Sequence, residues 1–211
     1  MKLLWKFHMS LFSKSLISKV VGSLLILSTA SYAAQAKPIS QEKKEVLKQA
    51  SNFAQAVACS TTFASDAEDY KTTVKDIYLT EKDTEYAEYF VFWSGDWGCS
   101  GGSGTYRSYL TSFSKFGQSR PFIVDQQDIL SDINADGYLV NDRFIEDVKF
   151  ENGKFLITGS DFSNEGDDGG NNFPANRYKY TLALDKNSDD YKWKLIDKKF
   201  MGKTKDAIKI N

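Results

Sequence analysis

The sequence predicts an α+β fold in which one N-terminal amphipathic helix packs on a strongly curved antiparallel β-meander of seven or eight strands. Three observations carry this prediction. Apolar residues recur with helical spacing over 41–58, apolar and polar residues alternate from 72 to 198, and the connections between the alternating segments are too short for helical crossovers. A closed β-barrel with an external helix fits the same pattern. Residues 37–211 are enough for a single α+β domain with its own core.

The predicted helix spans 41–58, directly after Pro38 and a suitable N-cap at Ser40. Glu42 and Glu45 lie in its first turns, where the helix dipole favours negative charge. Four apolar residues recur at intervals of three or four and therefore share one face: Val46, Ala50, Phe53 and Val57. This face has to be buried against the sheet.

The predicted strands are rich in aromatic and β-branched residues and alternate with period two. There are eight of them: 72–79, 86–93, 106–116, 121–125, 143–150, 154–160, 176–184 and 191–198. Between the fifth and sixth, Asn152-Gly153 is the dipeptide typical of a tight hairpin turn.

Residues 1–36 have the pattern of a secretory signal peptide. Four lysines precede the apolar run 20–27, and Ala34-Gln35-Ala36 supplies the small-x-small pattern of a cleavage site. The run is shorter than the roughly 20 apolar residues of a membrane-spanning helix. We therefore expect cleavage after Ala36, no stable membrane insertion, and a periplasmic or secreted protein.

Charge and histidine content exclude several function classes for the chain beyond Ala36. Its 23 basic and 28 acidic residues leave a net charge of −5, which argues against a nucleic-acid partner. The only histidine, His8, lies in the predicted signal peptide. Without histidine, a chain cannot build a Ser-His-Asp triad, a Cys-His pair or a histidine-ligated metal site. We therefore expect no enzymatic activity, with an Asp/Glu-dependent hydrolase as the alternative.

The chain has two cysteines, Cys59 and Cys99. An even number of cysteines in an exported chain predicts a disulfide, here between the end of the helix and a glycine-rich segment. The alternative, a catalytic thiol at Cys99, lacks the histidine that usually activates such a residue.

The glycine-rich segment SGDWGCSGGSGTYRSY, residues 94–109, is predicted to be a turn between two strands. It is not followed by a helix, which both a P-loop and a dinucleotide fingerprint require. If the loop is also a site, docking of a partner is the expected role, with Trp97, Ser103 and Tyr106 as contact residues. The aromatics Trp93 and Trp97 beside Asp96 also suit a carbohydrate-active site.

Two acidic segments are candidates for cation binding. In DINADG, Asp132, Asn134, Asp136 and the carbonyl of Tyr138 follow the spacing of an EF-hand-like calcium loop. Arg143 occupies the twelfth position, where a bidentate glutamate belongs, so calcium is a weak expectation and no other cofactor is expected. The second segment, 163–172, carries Glu165, Asp167 and Asp168 among three glycines, a composition typical of a surface loop.

Two resemblances bear on the fold and function. GCSGGSGTY and DRFIEDVKFENGKFLITG, within 90–194, are similar to small exported bacterial β-meander domains of uncharacterised function. That resemblance implies a meander and carries no catalytic residues. Ser103-Gly104-Thr105-Tyr106 more weakly resembles the Ser-Gly-x-x-Tyr loop of periplasmic C-type lysozyme inhibitors, although it is one residue shorter. Lys115 is a loose counterpart of their downstream lysine.

Together these observations predict an exported, non-enzymatic binding or inhibitor module. Its expected partner is another envelope or secreted protein, followed by a polysaccharide. The alternatives are a carbohydrate-binding or carbohydrate-active protein that uses Asp and Glu, or a calcium-binding envelope protein.

Overall fold

The structure is a computed structural model that describes residues 37–67, 70–102, 104–135, 137, 139–162, 174–187 and 191–204. The predicted signal peptide, Ser103, Asp136, Tyr138 and the acidic segment 163–172 lie outside the described residues. Within the described ranges, no helix combines the length and apolar character needed to cross a bilayer.

The predicted N-terminal helix is confirmed as α1 (Ile39–Val57). It begins two residues earlier than expected, because the Pro38 carbonyl accepts the first helical hydrogen bonds, from Gln41 N at 2.9 Å and Glu42 N at 3.1 Å. Ser40 therefore lies inside the first turn and is not the N-cap. The helix buries one face: Glu42, Val46, Ala50 and Ala54. At Ala58 the backbone becomes extended, and the chain enters the first sheet.

The first sheet contains five antiparallel strands: β1 (Ala58–Cys59), β2 (Ile77–Lys82), β3 (Tyr86–Trp97), β4 (Tyr106–Phe116) and β5 (Ile123–Val124). Strands β3 and β4 form its centre, and β1 and β2 both pair with the same edge of β3 at different points. Strand β2 starts later than predicted, since Val74–Asp76 form a 3-10 turn capped by the Thr73 side chain.

The second sheet is an antiparallel meander of four strands: β6 (Ile145–Glu151), β7 (Lys154–Asp161), β8 (Asn176–Asp185) and β9 (Lys192–Lys203). The predicted hairpin between β6 and β7 is confirmed. Asn152 and Gly153 have φ angles of 53° and 72°, the left-handed conformation that this dipeptide adopts at low cost.

A second, short helix, α2 (Ile129–Asn134), was not predicted. Asp128 precedes it in extended conformation and caps it by accepting hydrogen bonds from Leu130 N and Ser131 N. Ile129, Leu130 and Ile133 are buried, so the helix is held in place by its apolar face.

The α+β class is confirmed. The described strands number nine, more than the seven or eight expected, and they form two separate sheets where one meander was expected; they do not form a closed barrel. The reason lies in the centre of the first sheet, where eight consecutive residues of β4 and of β3 are buried. A sheet buried on both faces needs two covering layers. Helix α1 covers one face through Val46 and Ala50, and the second sheet covers the other through Phe155 and Ile157.

A buried charged cluster attaches α1 to the first sheet. Glu42 has no exposed surface and accepts a hydrogen bond from Lys115 Nζ at 2.7 Å and one from Tyr89 OH at 2.7 Å. It also forms an ion pair with Lys82. Burial by itself would raise the pKa of Glu42, but the hydrogen bonds from Lys115, Lys82 and Tyr89 hold it below its ordinary value.

Candidate functional site

A cavity of about 690 Å³ lies at one end of the first sheet, where the end of β3, the start of β4 and the N-terminus of α2 meet. This volume is within the range of small-molecule sites, about 300–1,000 Å³. Nine residues line it: Trp97, Gly104, Thr105, Arg107, Tyr109, Gln127, Asp128, Ser131 and Asp132. It opens to solvent, since Arg107, Gln127, Ser131 and Asp132 are exposed.

Two aromatic side chains form the apolar part of the cavity. The rings of Trp97 and Tyr109 have centroids 5.3 Å apart at an angle of 48°. Behind them, Trp93 stacks on Tyr109 with centroids 4.5 Å apart, and Phe53 of α1 packs edge-on against Trp97. Because both rings are supported from behind, they are held rigidly at the cavity wall.

The glycine-rich turn forms one rim of the cavity and is cross-linked to the end of α1. The predicted disulfide is confirmed, with Cys59 and Cys99 Cα atoms 5.0 Å apart. Gly98 N donates to the Val57 carbonyl at 2.8 Å, which reinforces the same attachment. Gly102 has a φ of 116°, a conformation that residues with a Cβ rarely adopt. The turn lies between Trp97 and Tyr106 and is shorter than the predicted segment, because β3 continues to Trp97, four residues further than expected.

Asp128 forms the opposite wall and is almost fully buried. Its Oδ1 accepts hydrogen bonds from Leu110 N at 3.0 Å and Leu130 N at 3.1 Å. Its Oδ2 accepts two more from Ser131, from N at 3.1 Å and from Oγ at 2.7 Å. Burial raises the pKa of Asp128 to about 6 against the opposing effect of these four bonds.

The remaining charges at the cavity are exposed. Arg107 Nη1 lies 3.5 Å from Asp142 Oδ2, so the Arg107 side chain both lines the cavity and contacts the loop before β6. Burial raises the pKa of Asp142, an effect that the nearby Arg107 and Arg143 partly offset. Asp132 lies one helical turn after Asp128 on the same side of α2. The cavity is therefore lined by one positively charged donor, Arg107, and by two acidic side chains, Asp128 and Asp132.

Of the three predicted contact residues, the structure places Trp97 in the cavity. Tyr106 is 43% exposed and lies next to Arg107 on β4, so its side chain points to the other face of the sheet. Asp96, the carboxylate predicted beside Trp97, also lies on that other face. Its Oδ2 accepts a hydrogen bond from Gly101 N at 2.8 Å, and its Oδ1 is buried with no partner among the described residues.

The predicted calcium residues are divided by the fold. Asp132 and Asn134 belong to α2, whereas an EF-hand-like loop requires them in an open loop. The Asn134 side chain is engaged locally: its Oδ1 accepts from Val140 N at 2.9 Å and its Nδ2 donates to the Val140 carbonyl at 2.8 Å. Among the described residues, no group of three or more His, Cys, Asp or Glu side chains could hold a metal ion. Calcium binding stays a prediction.

Five cavity residues were not singled out from the sequence: Arg107, Tyr109, Gln127, Asp128 and Ser131. Asp128 carried a usable signal, because an aspartate directly before Ile-Leu-Ser is a typical N-cap. Arg107 and Tyr109 carried none, since only the pairing of β3 with β4 brings them beside Trp97.

Comparison with known proteins finds no matching family model, no similar curated protein and no similar solved structure. The resemblance to exported β-meander domains therefore stays a prediction. For the likeness to lysozyme inhibitors, Lys115 is 2% exposed and bonded to Glu42, so it is not presented to a partner.

Proposed function

We propose that this protein is an exported, non-catalytic binding protein that holds a saccharide in the cavity between the glycine-rich turn and α2. The observation that carries this proposal is the Trp97–Tyr109 pair, which presents aromatic surface to a cavity otherwise lined by polar groups. A ring with apolar C–H faces and a rim of hydroxyl groups matches such a surface.

The polar rim supports a hydroxyl-rich ligand. Arg107 and Gln127 can donate hydrogen bonds, Asp132 can accept them, and Thr105 and Ser131 can do both. Because the aromatic pair is packed against Trp93 and Phe53, little side-chain entropy is lost when a ligand stacks on it. The Cys59–Cys99 disulfide is consistent with an oxidising compartment such as the periplasm or the exterior.

A glycosidase is the second candidate, and the Asp128–Asp132 pair favours it. Asp128 has a pKa raised to about 6, as a general acid requires, and Asp132 lies one turn away. The hydrogen bonds of Asp128 argue for binding instead. Each of its oxygens already accepts two hydrogen bonds from the protein, so a proton on either oxygen would be directed away from a ligand or would break a bond.

The test is calorimetric titration with three tetrasaccharides: chitotetraose, cellotetraose and maltotetraose. We expect at least one to bind, and Trp97→Ala to weaken that binding at least about tenfold, as is usual for a central aromatic contact. Asp132→Ala should also weaken it, and because Asp132 is exposed this variant keeps the fold.

Tyr106→Ala is the matched control, because Tyr106 is next to the cavity in sequence but faces away from it. Its affinity should equal that of the wild type. If none of the three sugars binds, or if Tyr106→Ala and Trp97→Ala weaken binding equally, the proposal is wrong. Release of reducing ends by the wild type, lost in Asp132→Asn with binding retained, would identify the protein as a glycosidase.

A further inference from the structure

Strand β9 is an unusually long and exposed edge strand. It contains twelve residues, and nine of them are exposed. It pairs with β8, and no strand in the described part of the chain pairs with its other side. Natural edge strands are commonly short, bulged, covered or rich in lysine, because unpaired backbone groups bind other strands. Strand β9 has two such bulges, at Ile196 and Met201, which have no partner on β8. Helix α2 packs on Trp193 and Leu195, near the start of β9, which leaves Ile196–Lys203 open.

The charge of β9 differs from that of the rest of the chain. It carries five lysines and one aspartate, a net charge of +4, whereas the whole chain has a net charge of −1. Two of the lysines are neutralised locally: Lys194 by Asp185 at 2.7 Å and Lys198 by Asp161 at 2.9 Å. Lys199 and Lys203 are exposed and form no ion pair with the described residues.

Apolar side chains are also concentrated here. Among the described residues, eleven large apolar side chains are exposed, and four of them lie in the short segment of chain that contains β9: Tyr191, Ile196, Phe200 and Met201. The ring of Phe200 contacts Tyr178 with centroids 5.6 Å apart, and Lys198 Nζ lies 4.6 Å from the centroid of the same tyrosine. These four exposed side chains form an apolar shelf, and tyrosine, phenylalanine and methionine are residue types enriched at protein interfaces.

We propose that Ile196–Lys203 is a docking edge for an extended acidic segment of another protein, which adds to the second sheet as a further strand. Backbone hydrogen bonds to the edge supply affinity. Lys199 and Phe200 lie on opposite faces of β9, so acidic side chains of the segment contact the first and apolar side chains contact the second. A second copy of this chain is disfavoured as the occupant, since it would bring the same lysines against one another.

The probe is a library of random twelve-residue peptides displayed on phage and selected against the full-length protein. We expect enriched peptides in which Asp or Glu alternates with apolar residues. Adding one such peptide should slow hydrogen exchange of the β9 amides by about tenfold or more, because strand pairing protects them. Lys199→Glu with Lys203→Glu should weaken binding at least about tenfold.

Lys71→Glu with Lys75→Glu makes the same charge change at exposed positions just before β2 and should leave binding unchanged. A version of the peptide with N-methyl groups on alternate amides should not bind, because it cannot pair with an edge. The proposal is overturned if no acidic peptide is enriched, or if protection falls outside β9. Equal binding by both double variants or by the methylated peptide would also overturn it, as would β9 protection caused by self-association.

Discussion

At the scale of single residues, two buried carboxylates, those of Glu42 and Asp128, have pKa values shifted in opposite directions. Glu42 is surrounded by cationic partners, and the pKa of its carboxyl group is lowered. Asp128 is surrounded by neutral donors, and the pKa of its carboxyl group is raised to about 6. Burial opposes the charged form of both, so the sign of the net effect depends on whether a positive charge lies within contact distance.

Glu42→Gln is expected to destabilise the protein by about 3–5 kcal/mol, because it leaves the ammonium group of Lys115 buried without its counter-charge. Urea unfolding followed by fluorescence measures this change. Glu45→Gln is the control, since Glu45 forms an exposed pair with Lys37, and such pairs contribute about 0–1 kcal/mol. Lys115→Met added to Glu42→Gln should restore part of the loss. Equal effects of the Glu42 and Glu45 substitutions would contradict this account.

Asp128→Asn tests the raised pKa of Asp128 through the pH dependence of stability. The Asp128 carboxylate binds a proton near pH 6 in the folded protein, whereas in the unfolded chain it does so near the ordinary aspartate pKa of 3.8. The wild type should therefore gain stability relative to the variant as pH falls from 7 to 4, by about 2–3 kcal/mol. Unfolding free energies of both proteins across this range measure the difference. Parallel curves would show that the pKa of Asp128 is not raised.

At the scale of elements, the cavity depends on how three segments are joined at one end of the first sheet. The disulfide links the end of α1 to the turn after β3. A chain of two hydrogen bonds links β3 to the segment directly before α2: Trp93 Nε1 donates to Thr111 Oγ1 at 2.8 Å, and Thr111 Oγ1 donates to the Gln127 carbonyl at 2.7 Å. The aromatic wall and the α2 wall are thus held by separate attachments.

Cys59→Ser with Cys99→Ser is expected to lower the free energy of unfolding by about 4 kcal/mol, as the chain-entropy model gives for a sequence separation of 40 residues. Chemical denaturation with and without dithiothreitol is the measurement. Reductant should destabilise the wild type and leave the double variant unaffected. A wild type that is indifferent to reductant, with its thiols shown to be free, would contradict the expected contribution.

At the scale of the whole molecule, the first sheet is a central layer between α1 and the second sheet. Strands β3 and β4 contribute side chains to two hydrophobic cores, one on each face of the first sheet. Phe90 and Leu110 face the second sheet, while Tyr89 and Phe113 face α1. Strand alternation makes this possible, because neighbouring residues of β3 and β4 point to opposite faces. Among the described residues, the first sheet covers one face of the second sheet, and β9 forms an outer edge of that sheet.

The sequence by itself determined the class of fold, most strand positions, the helix, the hairpin at Asn152-Gly153 and the disulfide. These follow from local periodicity, from turn residues and from the cysteine count, which require no knowledge of long-range pairing. They do not include the covering of both faces of β3 and β4, which depends on long-range packing.

Only the tertiary structure decided how the strands divide into two sheets and which side chains meet. Trp97, Tyr109 and Asp128 are separated in sequence, and they share a cavity because β3 pairs with β4 and α2 packs against the end of that pair. Tyr106 and Arg107 are neighbours in sequence, yet strand alternation sends them to opposite faces. Local propensity sets each element, whereas burial of both faces of the central sheet sets their arrangement, and the site arises from that arrangement.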